Sequence, residues 1–324
     1  MHALRVAFTV LFAPPVFLGG ALCAGAAVAA HFGRVSLRWD ILAHFAPLWL
    51  AGGLAALLAA FLFRGYARAL ILGMAGTAVL AAGALMAPEV LRDTGPKAPP
   101  DAEDQLKVVQ INLWSRNGSL DDTLNWVLAQ DPDVVVMEET SPPLREKVRG
   151  LAGWHVSCAT CEVMILSRRP PIRSEAVRLR GPNPGPLTRA VFRDRRGRYA
   201  VIGVHYAWPT DMEDHQAQEA GLAEVIAMGP RERTIVAGDF NSAPWSFSRR
   251  RWDAEFGLIR RDRALLTWPA LQYKRLRWLG WFPFLAIDHV YAGSDWATVS
   301  VERGPRLGSD HYPVVMSLAP AAPR

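Results

Sequence analysis

Three uncharged, mostly apolar runs fill the start of the chain, at residues 6–33, 41–63 and 69–88. Crossing a hydrocarbon core takes roughly 20 residues at helical rise, and each run reaches that length, so three membrane-spanning helices are expected. Pro14, Pro15, Pro47 and the many glycines would weaken a soluble helix. Between helices in a bilayer the freed backbone groups find partners. The first run alone also fits a cleaved signal peptide, with Arg5 ahead of it and small residues at 27–30, but two further runs follow. Bulky Leu22 before Cys23 argues against lipid attachment at that cysteine.

The pattern changes after residue 91. Residues 92–104, RDTGPKAPPDAED, read as a polar, partly extended tether. Residues 105–324 then form one domain large enough to bury a core. KVVQINL, DPDVVVMEE, EVMILS, LTRAVFRD, YAVIGVHY, RTIVAGD, AIDHVYAG and YPVVMSLA are strand-like, and DRRGRY reads as a hairpin turn. SLDDTLNWVLAQ predicts a helix with Ser119 as N-cap and Leu120, Leu124, Val127 and Leu128 on one face. DHQAQEAGLAEVIAM is also helical. Strands outnumber helices, which predicts a mixed α/β sheet system with helices outside.

Charge sharpens this division. The 324 residues hold 36 Lys+Arg and 30 Asp+Glu, for a net charge of +6. Residues 1–88 contribute only Arg5, Arg34, Arg38, Asp40, Arg64 and Arg68, so the remainder is nearly balanced. A disordered chain, a coiled coil and a uniformly basic nucleic-acid-binding domain are excluded. The three runs contain no acidic residue, which leaves little pathway for a transporter. Cys158 and Cys161 form C-x-x-C with Cys23 apart. Zinc needs four ligands and no second pair exists, leaving a disulfide and two reduced thiols both open.

Polar residues gather where apolar strands end. QIN offers Asn112, MEET offers Glu138 and Glu139, GVHYAWP offers His205, and GDFN offers Asp239 and Asn241. IDHV carries Asp288, and SDHYP carries Asp310 and His311. Buried charge is costly unless paired, so these places together point to a shared site. The set offers carboxylates for a hard cation, histidines for proton transfer and amides for an anionic oxygen.

In this order the motifs resemble the endonuclease/exonuclease/phosphatase superfamily over residues 107–318. The resemblance implies a four-layer α/β/β/α sandwich of the deoxyribonuclease I-like kind, in a bacterial membrane-anchored branch. It implies Glu139 as the principal Mg²⁺ ligand (Mn²⁺ as a substitute), Asn112 beside it and Asp310 as a further metal-side acid. Asp239 is implied to position or deprotonate the attacking water, Asn241 to bind the phosphoryl group, and His311, held by Asp288, to contact phosphate. His205 braced by Glu162 is implied as general acid, and Arg189 in LTRAVF as a phosphate contact. Trp114 stands where abasic-site endonucleases carry an acid, which points away from that specificity.

The expected function is therefore Mg²⁺-dependent hydrolysis of a phosphodiester by water. A nuclease-like activity leads, with a lipid-headgroup phosphodiesterase or phosphatase as the alternative and an inactive binding module as a third reading. No protein partner is implied. WPALQYKRLRWLGWFPF at 268–284 mixes aromatic and basic residues, which suits a membrane headgroup layer and equally the stacking of nucleic-acid bases. Relatives with such an anchor place the expected domain in the periplasm, on the bacterial inner membrane. Arg5, Arg64 and Arg68 on one side against Arg34, Arg38, Arg92 and Lys97 on the other lean slightly against that orientation.

Overall fold

The computed structural model describes residues 2–178, 185–270 and 282–322. The chain forms two units, Met1–Arg92 with Ala243–Arg250, and Asp93–Ser242 with Arg251–Arg324. The first is helical: α1 (His2–Ala30), α2 (Leu37–His44), α3 (Ala46–Ala59) and α4 (Gly65–Leu91). Its polarity is inverted relative to a soluble bundle. Small residues such as Ala24, Ala27, Ala75, Ala78 and Ala82 are buried between helices, while Leu11, Leu18, Leu22, Leu58 and Leu80 face outward. Small residues at helix interfaces and large apolar ones outside are what lipid favours, and a contiguous exposed apolar surface is rare on soluble monomers.

Among the described residues two helices, Arg5–Arg34 and Gly65–Leu91, are long and apolar enough to cross a membrane. The expected middle span is not one straight helix. It breaks between Leu37–His44 and Ala46–Leu62 with a bend of 58°. Pro47 lies in the first turn of α3, where it has no N–H to continue a ladder from α2. The Trp49 indole donates to the Leu42 carbonyl at 2.8 Å across the break. Counted as one bent span, this pair is a third segment long and apolar enough to cross.

The second unit begins with β1 (Leu106–Asn112), α5 (Leu120–Ala129), β2 (Val134–Glu138), α6 (Pro142–Arg149), β3 (His155–Ser157) and β4 (Met164–Ser167). It continues through β5 (Arg173–Arg178), β6 (Pro186–Asp194), β7 (Gly197–His205), α7 (Met212–Ala227) and β8 (Thr234–Asp239). Helix α8 (Phe247–Phe256), β9 (Ile259–Arg260), β10 (Asp288–Ala292), β11 (Trp296–Arg303) and β12 (Val314–Pro320) complete it, α8 starting in the first unit. Two six-stranded sheets result, ordered β11-β12-β1-β2-β4-β3 and β5-β6-β7-β8-β10-β9.

Side-chain alternation builds the layers. Val108, Val136, Ile165, Ala190, Val201, Ile235, Val290 and Met316 face inward and fill the space between the sheets. Val109, Ile111, Val135 and Met137 face outward onto Leu124 and Val127 of α5 and Leu144 and Val148 of α6. Ile202, Val204 and Val236 meet Leu222, Val225 and Ile226 of α7 on the other side. This is the expected α/β/β/α sandwich. The DRRGRY turn joins β6 to β7 as expected, with Asp194 opposite Gly197.

Several expectations change. The tether is partly strand-like: Thr298 donates to the Pro96 carbonyl at 2.8 Å and accepts from the Ala98 N–H at 2.9 Å, because edge strand β11 offers unpaired backbone groups. Ser119 sits at the head of α5, but its side chain makes no capping bond. Cys158 and Cys161 form a disulfide. The aromatic and basic residues at 271–281 lie outside the described residues.

Candidate active site

The strand registers bring the polar ends together. Parallel pairing sets Asn112 beside Glu138 at the ends of β1 and β2 and His205 beside Asp239 at the ends of β7 and β8. Antiparallel pairing then sets Asp288, at the start of β10, opposite Asp239. The turn carrying Asp310 and His311 leads into β12, whose Val314 pairs with Gln110 of β1. One rim of the paired sheets thus receives all of these residues.

Backbone geometry at that rim is unusual. Trp114, Glu139 and Asn241 have φ of 55°, 52° and 48°, a region disfavoured for non-glycine residues and found where surrounding structure enforces it. Alternation points Glu138 inward, and the left-handed turn at Glu139 lets the next carboxylate also reach the rim. Gly238 precedes Asp239 for a related reason: a Cβ there would collide with the Val204 carbonyl.

The cavity at this rim has a volume of about 460 Å³ and is lined by Glu139, Glu162, His205, Asp239, Asn241, Asp310 and His311, together with Trp114, Arg116, Trp208 and Trp268. At its centre the Asn112 amide donates to Glu139 Oε1 at 3.1 Å and to Asp239 Oδ2 at 3.0 Å. Its oxygen accepts from the Trp114 N–H at 3.0 Å. Asn112 therefore orients two carboxylates with its nitrogen and turns its oxygen away from them. Glu139 Oε2 accepts from the Ser115 N–H, and Asp239 Oδ1 accepts from the Asn241 N–H at 2.8 Å. The Asn241 amide nitrogen donates to the Tyr206 carbonyl.

Two histidine–carboxylate pairs flank this centre. His205 Nδ1 lies 2.9 Å from Glu162 Oε1, and its Nε2 lies 3.9 Å from Glu139 and 3.8 Å from Asp239. Burial lowers the His205 pKa, but the Glu162 hydrogen bond and the Asp239 charge outweigh it and raise the value. The same bond holds Glu162 below the usual carboxylate range. His311 Nδ1 lies 2.8 Å from Asp288 Oδ2, and its Nε2 lies 3.6 Å from Asp239. Burial again opposes the charged form, yet Asp288 and Asp239 push His311 up to about 10. Asp239 is itself raised by burial, which His311 only partly offsets.

Oxygen donors are present for a divalent cation. Asp239, Asp288 and His311 place ligand atoms within 4.8 Å of one another, but Asp288 spends one oxygen on His311 and the other on Gln110. The outward-facing set is Glu139, Asp239 and Asp310. Asp310 Oδ2 accepts from the Trp268 indole at 3.3 Å, while its buried Oδ1 has no partner among the described residues. An all-oxygen set with a spare carboxylate oxygen suits a hard cation.

Arg189 is not brought to the cavity. Alternation along β6 turns Thr188 toward Val163, between the sheets, and Arg189 to the opposite face, where it pairs with Glu175 at 2.8 Å. Conversely, Gln110 escaped notice in the sequence. Its amide nitrogen joins Glu138 of one sheet at 3.0 Å to Asp288 of the other at 2.8 Å. Glu138, fully buried near Asp288 and Asp239, is held well above the usual carboxylate range. The alternation of Val108, Gln110 and Asn112 was the available signal, since it puts Gln110 on the inner face.

Residues 109–311 match the Endonuclease/Exonuclease/phosphatase family. The chain belongs to that family. Solved structures of Endonuclease/Exonuclease/phosphatase proteins and others share its fold. D. rerio TDP2 complexed with single strand DNA product is 16% identical, with a TM-score of 0.53 covering 67% of this chain and 99% of that one. A family protein from Bacteroides thetaiotaomicron is 16% identical, with a TM-score of 0.51 covering 67% and 98%. The family protein from Beutenbergia cavernae DSM 12333 is 19% identical, with a TM-score of 0.50 covering 67% and 72%. No curated protein matches the chain. Family membership makes this a phosphoesterase-type hydrolase fold, with Asp239, Asn241, Asp288 and His311 standing in the matched region.

Proposed function

We propose that this protein is a divalent-metal-dependent phosphodiesterase anchored in a membrane, with nuclease-like chemistry. The reading rests on the shared Asn112 amide, which aims Glu139 and Asp239 into one cavity between two braced histidines. Glu139 and Asp310 would hold the metal, with Asn112 orienting Glu139. When bound, Mg²⁺ or Mn²⁺ supplies charge neutralisation at the non-bridging phosphate oxygens, which otherwise repel a nucleophile.

The chain's own groups do the rest. Asp239, fixed at Oδ1 by the Asn241 N–H, orients water and takes its proton. His311, kept cationic by Asp288, donates a hydrogen bond to the phosphate. His205 gives its Nδ1 proton to Glu162 as a hydrogen bond, so protonated Nε2 faces the cavity and can pass a proton to the leaving oxygen. Each proton transfer of this kind contributes about 10²–10⁴-fold.

The outward leucines of the first unit favour a second reading, in which the phosphodiester is a lipid headgroup. Full-length protein in detergent separates the two, assayed with Mg²⁺ on plasmid DNA, RNA, bis(p-nitrophenyl) phosphate and phospholipid vesicles. Hydrolysis should stop on adding EDTA and return with excess Mg²⁺; turnover that ignores chelation refutes the mechanism. The disulfide at Cys158–Cys161 favours an oxidising compartment, here the periplasmic face of a bacterial inner membrane. A C-terminal alkaline phosphatase fusion should be active and a green fluorescent fusion dark; the reverse result places the domain in the cytoplasm.

A further inference from the structure

The end of β2 and the start of β4 are out of step by one residue. Their antiparallel register pairs Met137 with Met164, which by count would set Glu139 opposite Glu162. Instead the Thr140 N–H donates to the Glu162 carbonyl at 3.1 Å. The extra residue falls at Glu139, with φ 52°, so β2 ends in a bulge of the kind that re-aims a side chain. The Thr140 hydroxyl completes the closure. It donates to the Cys161 carbonyl at 2.7 Å and accepts from Arg145 Nε at 3.1 Å. Thr140 is only 2% exposed, so these bonds stand in for those that water would make.

Both donors of Thr140 thus go to consecutive carbonyls, those of Cys161 and Glu162. The Glu162 side chain is 45% exposed, so packing does not fix it. Its aim at His205 Nδ1, 2.9 Å away, depends on where its backbone is held. On the far side the Val163 carbonyl accepts from Thr188. On the near side the chain is a short loop closed by the half-buried Cys158–Cys161 disulfide, inside which Cys161 N donates to the Cys158 carbonyl at 3.1 Å. Arg145 reaches the Thr160 carbonyl at 2.9 Å, and Arg149 the Ala159 carbonyl at 3.1 Å. Thr140, Cys158 and Cys161 do not line the cavity, whereas Glu162 and His205 do.

We propose that Thr140 and the Cys158–Cys161 disulfide are positioning elements for the general acid: together they fix the peptide from which Glu162 holds His205. This rests on the phosphodiesterase reading above, in which His205 passes a proton to the leaving oxygen. Loosening the clasp leaves His205 in the cavity but frees its ring to turn, so Nε2 is aligned with the leaving oxygen less of the time, and small misplacements are costly. The loss falls on substrates that expel an alkoxide, which needs a proton as it departs. An ester that expels a stable aryl oxide is spared.

The test uses full-length protein in detergent with Mg²⁺ and compares kcat on two substrates. One is bis(p-nitrophenyl) phosphate, which releases an aryl oxide. The other is whichever of plasmid DNA, RNA and phospholipid vesicles the wild type hydrolyses fastest, each releasing an alkoxide. Thr140→Val keeps the shape and the N–H but lacks the hydroxyl. It should lose about tenfold or more on the alkoxide-releasing substrate and almost nothing on the aryl ester, and Thr140→Ser should recover most of the loss. The double variant Cys158→Ser, Cys161→Ser should show the same selective loss, and it carries the test if Thr140→Val fails to fold. So should wild type treated with a dithiol, which gives two electrons and two protons to the cystine and leaves as its own cyclic disulfide. Wild-type turnover in either variant, or equal losses on both substrates, overturns the proposal. A wild type silent on every alkoxide-releasing substrate counts against the phosphodiesterase reading instead. Hydrogen exchange of the Thr140 amide then decides the positioning claim: faster exchange in the double cysteine variant supports it, and wild-type exchange overturns it.

Discussion

Asp239→Asn is expected to lower phosphodiester turnover by about 10²–10⁴-fold without lowering the unfolding temperature. Both halves follow from one geometry. Asp239 is 1% exposed, faces Asp288 across the β8–β10 pair, and is driven by burial toward its neutral form. Asparagine keeps an oxygen for the Asn241 N–H, gives up the bond accepted from Asn112, and removes a charge that folding places beside another acid. Such substitutions trade function for stability in the direction expected of a strained site. Steady-state kinetics and a thermal melt on the same preparation check it. Retained turnover removes Asp239 from the chemistry, and a sharply lowered melting temperature removes the claim that its charge is held at a cost.

His311→Gln is expected to cost turnover by a similar factor, about 10²–10⁴-fold, but its stability signature differs. An unfolded histidine titrates at the ordinary value of 6.5, whereas burial, overridden by Asp288 and Asp239, leaves His311 at about 10. The folded state therefore binds the extra proton more tightly. Stabilisation from this group is complete below 6.5, fades as pH rises, and is gone above about 10. Urea midpoints of the wild type should fall across that window, and those of His311→Gln should fall less. Equal slopes would show that Asp288 and His311 do not form a charged pair. Alanine here should also destabilise the fold. It leaves buried Asp288 without its cation, a loss of about 3–5 kcal/mol for a broken buried pair.

What could be read from the sequence was set by how local the cause is. Apolar runs ending in QIN, MEET, GVH and GDFN locate strand ends, because an inward strand residue just past the hydrophobic layer is the first free to be polar. Asn112, Glu139, His205 and Asp239 were legible for that reason, and the GDFN and SDHYP motifs added Asn241, Asp310 and His311. Arg189 failed because a motif neighbour does not reveal which face of a strand it takes. The bend at Phe45 was missed because length and hydropathy ignore the missing N–H of Pro47. Strands β3, β5, β9 and β11 and helices α6 and α8 were missed because partners elsewhere in the chain, not their own periodicity, hold them. Asp40 and Gln110 are the extreme cases: one meets residues 207 positions away and the other a partner 178 away.

Gln110 gives the two sheets a common gauge. Its single amide nitrogen touches an acid in each, so any change in the gap between layers is transmitted to Glu138 and Asp288 at once. Shaving a methyl from Val136 or Ile235, deep in the shared interior, would alter that gap without touching the cavity. Altered proton affinity at the rim would then report on the packing beneath it, and a pH profile becomes an indirect measure of how well the interior is filled.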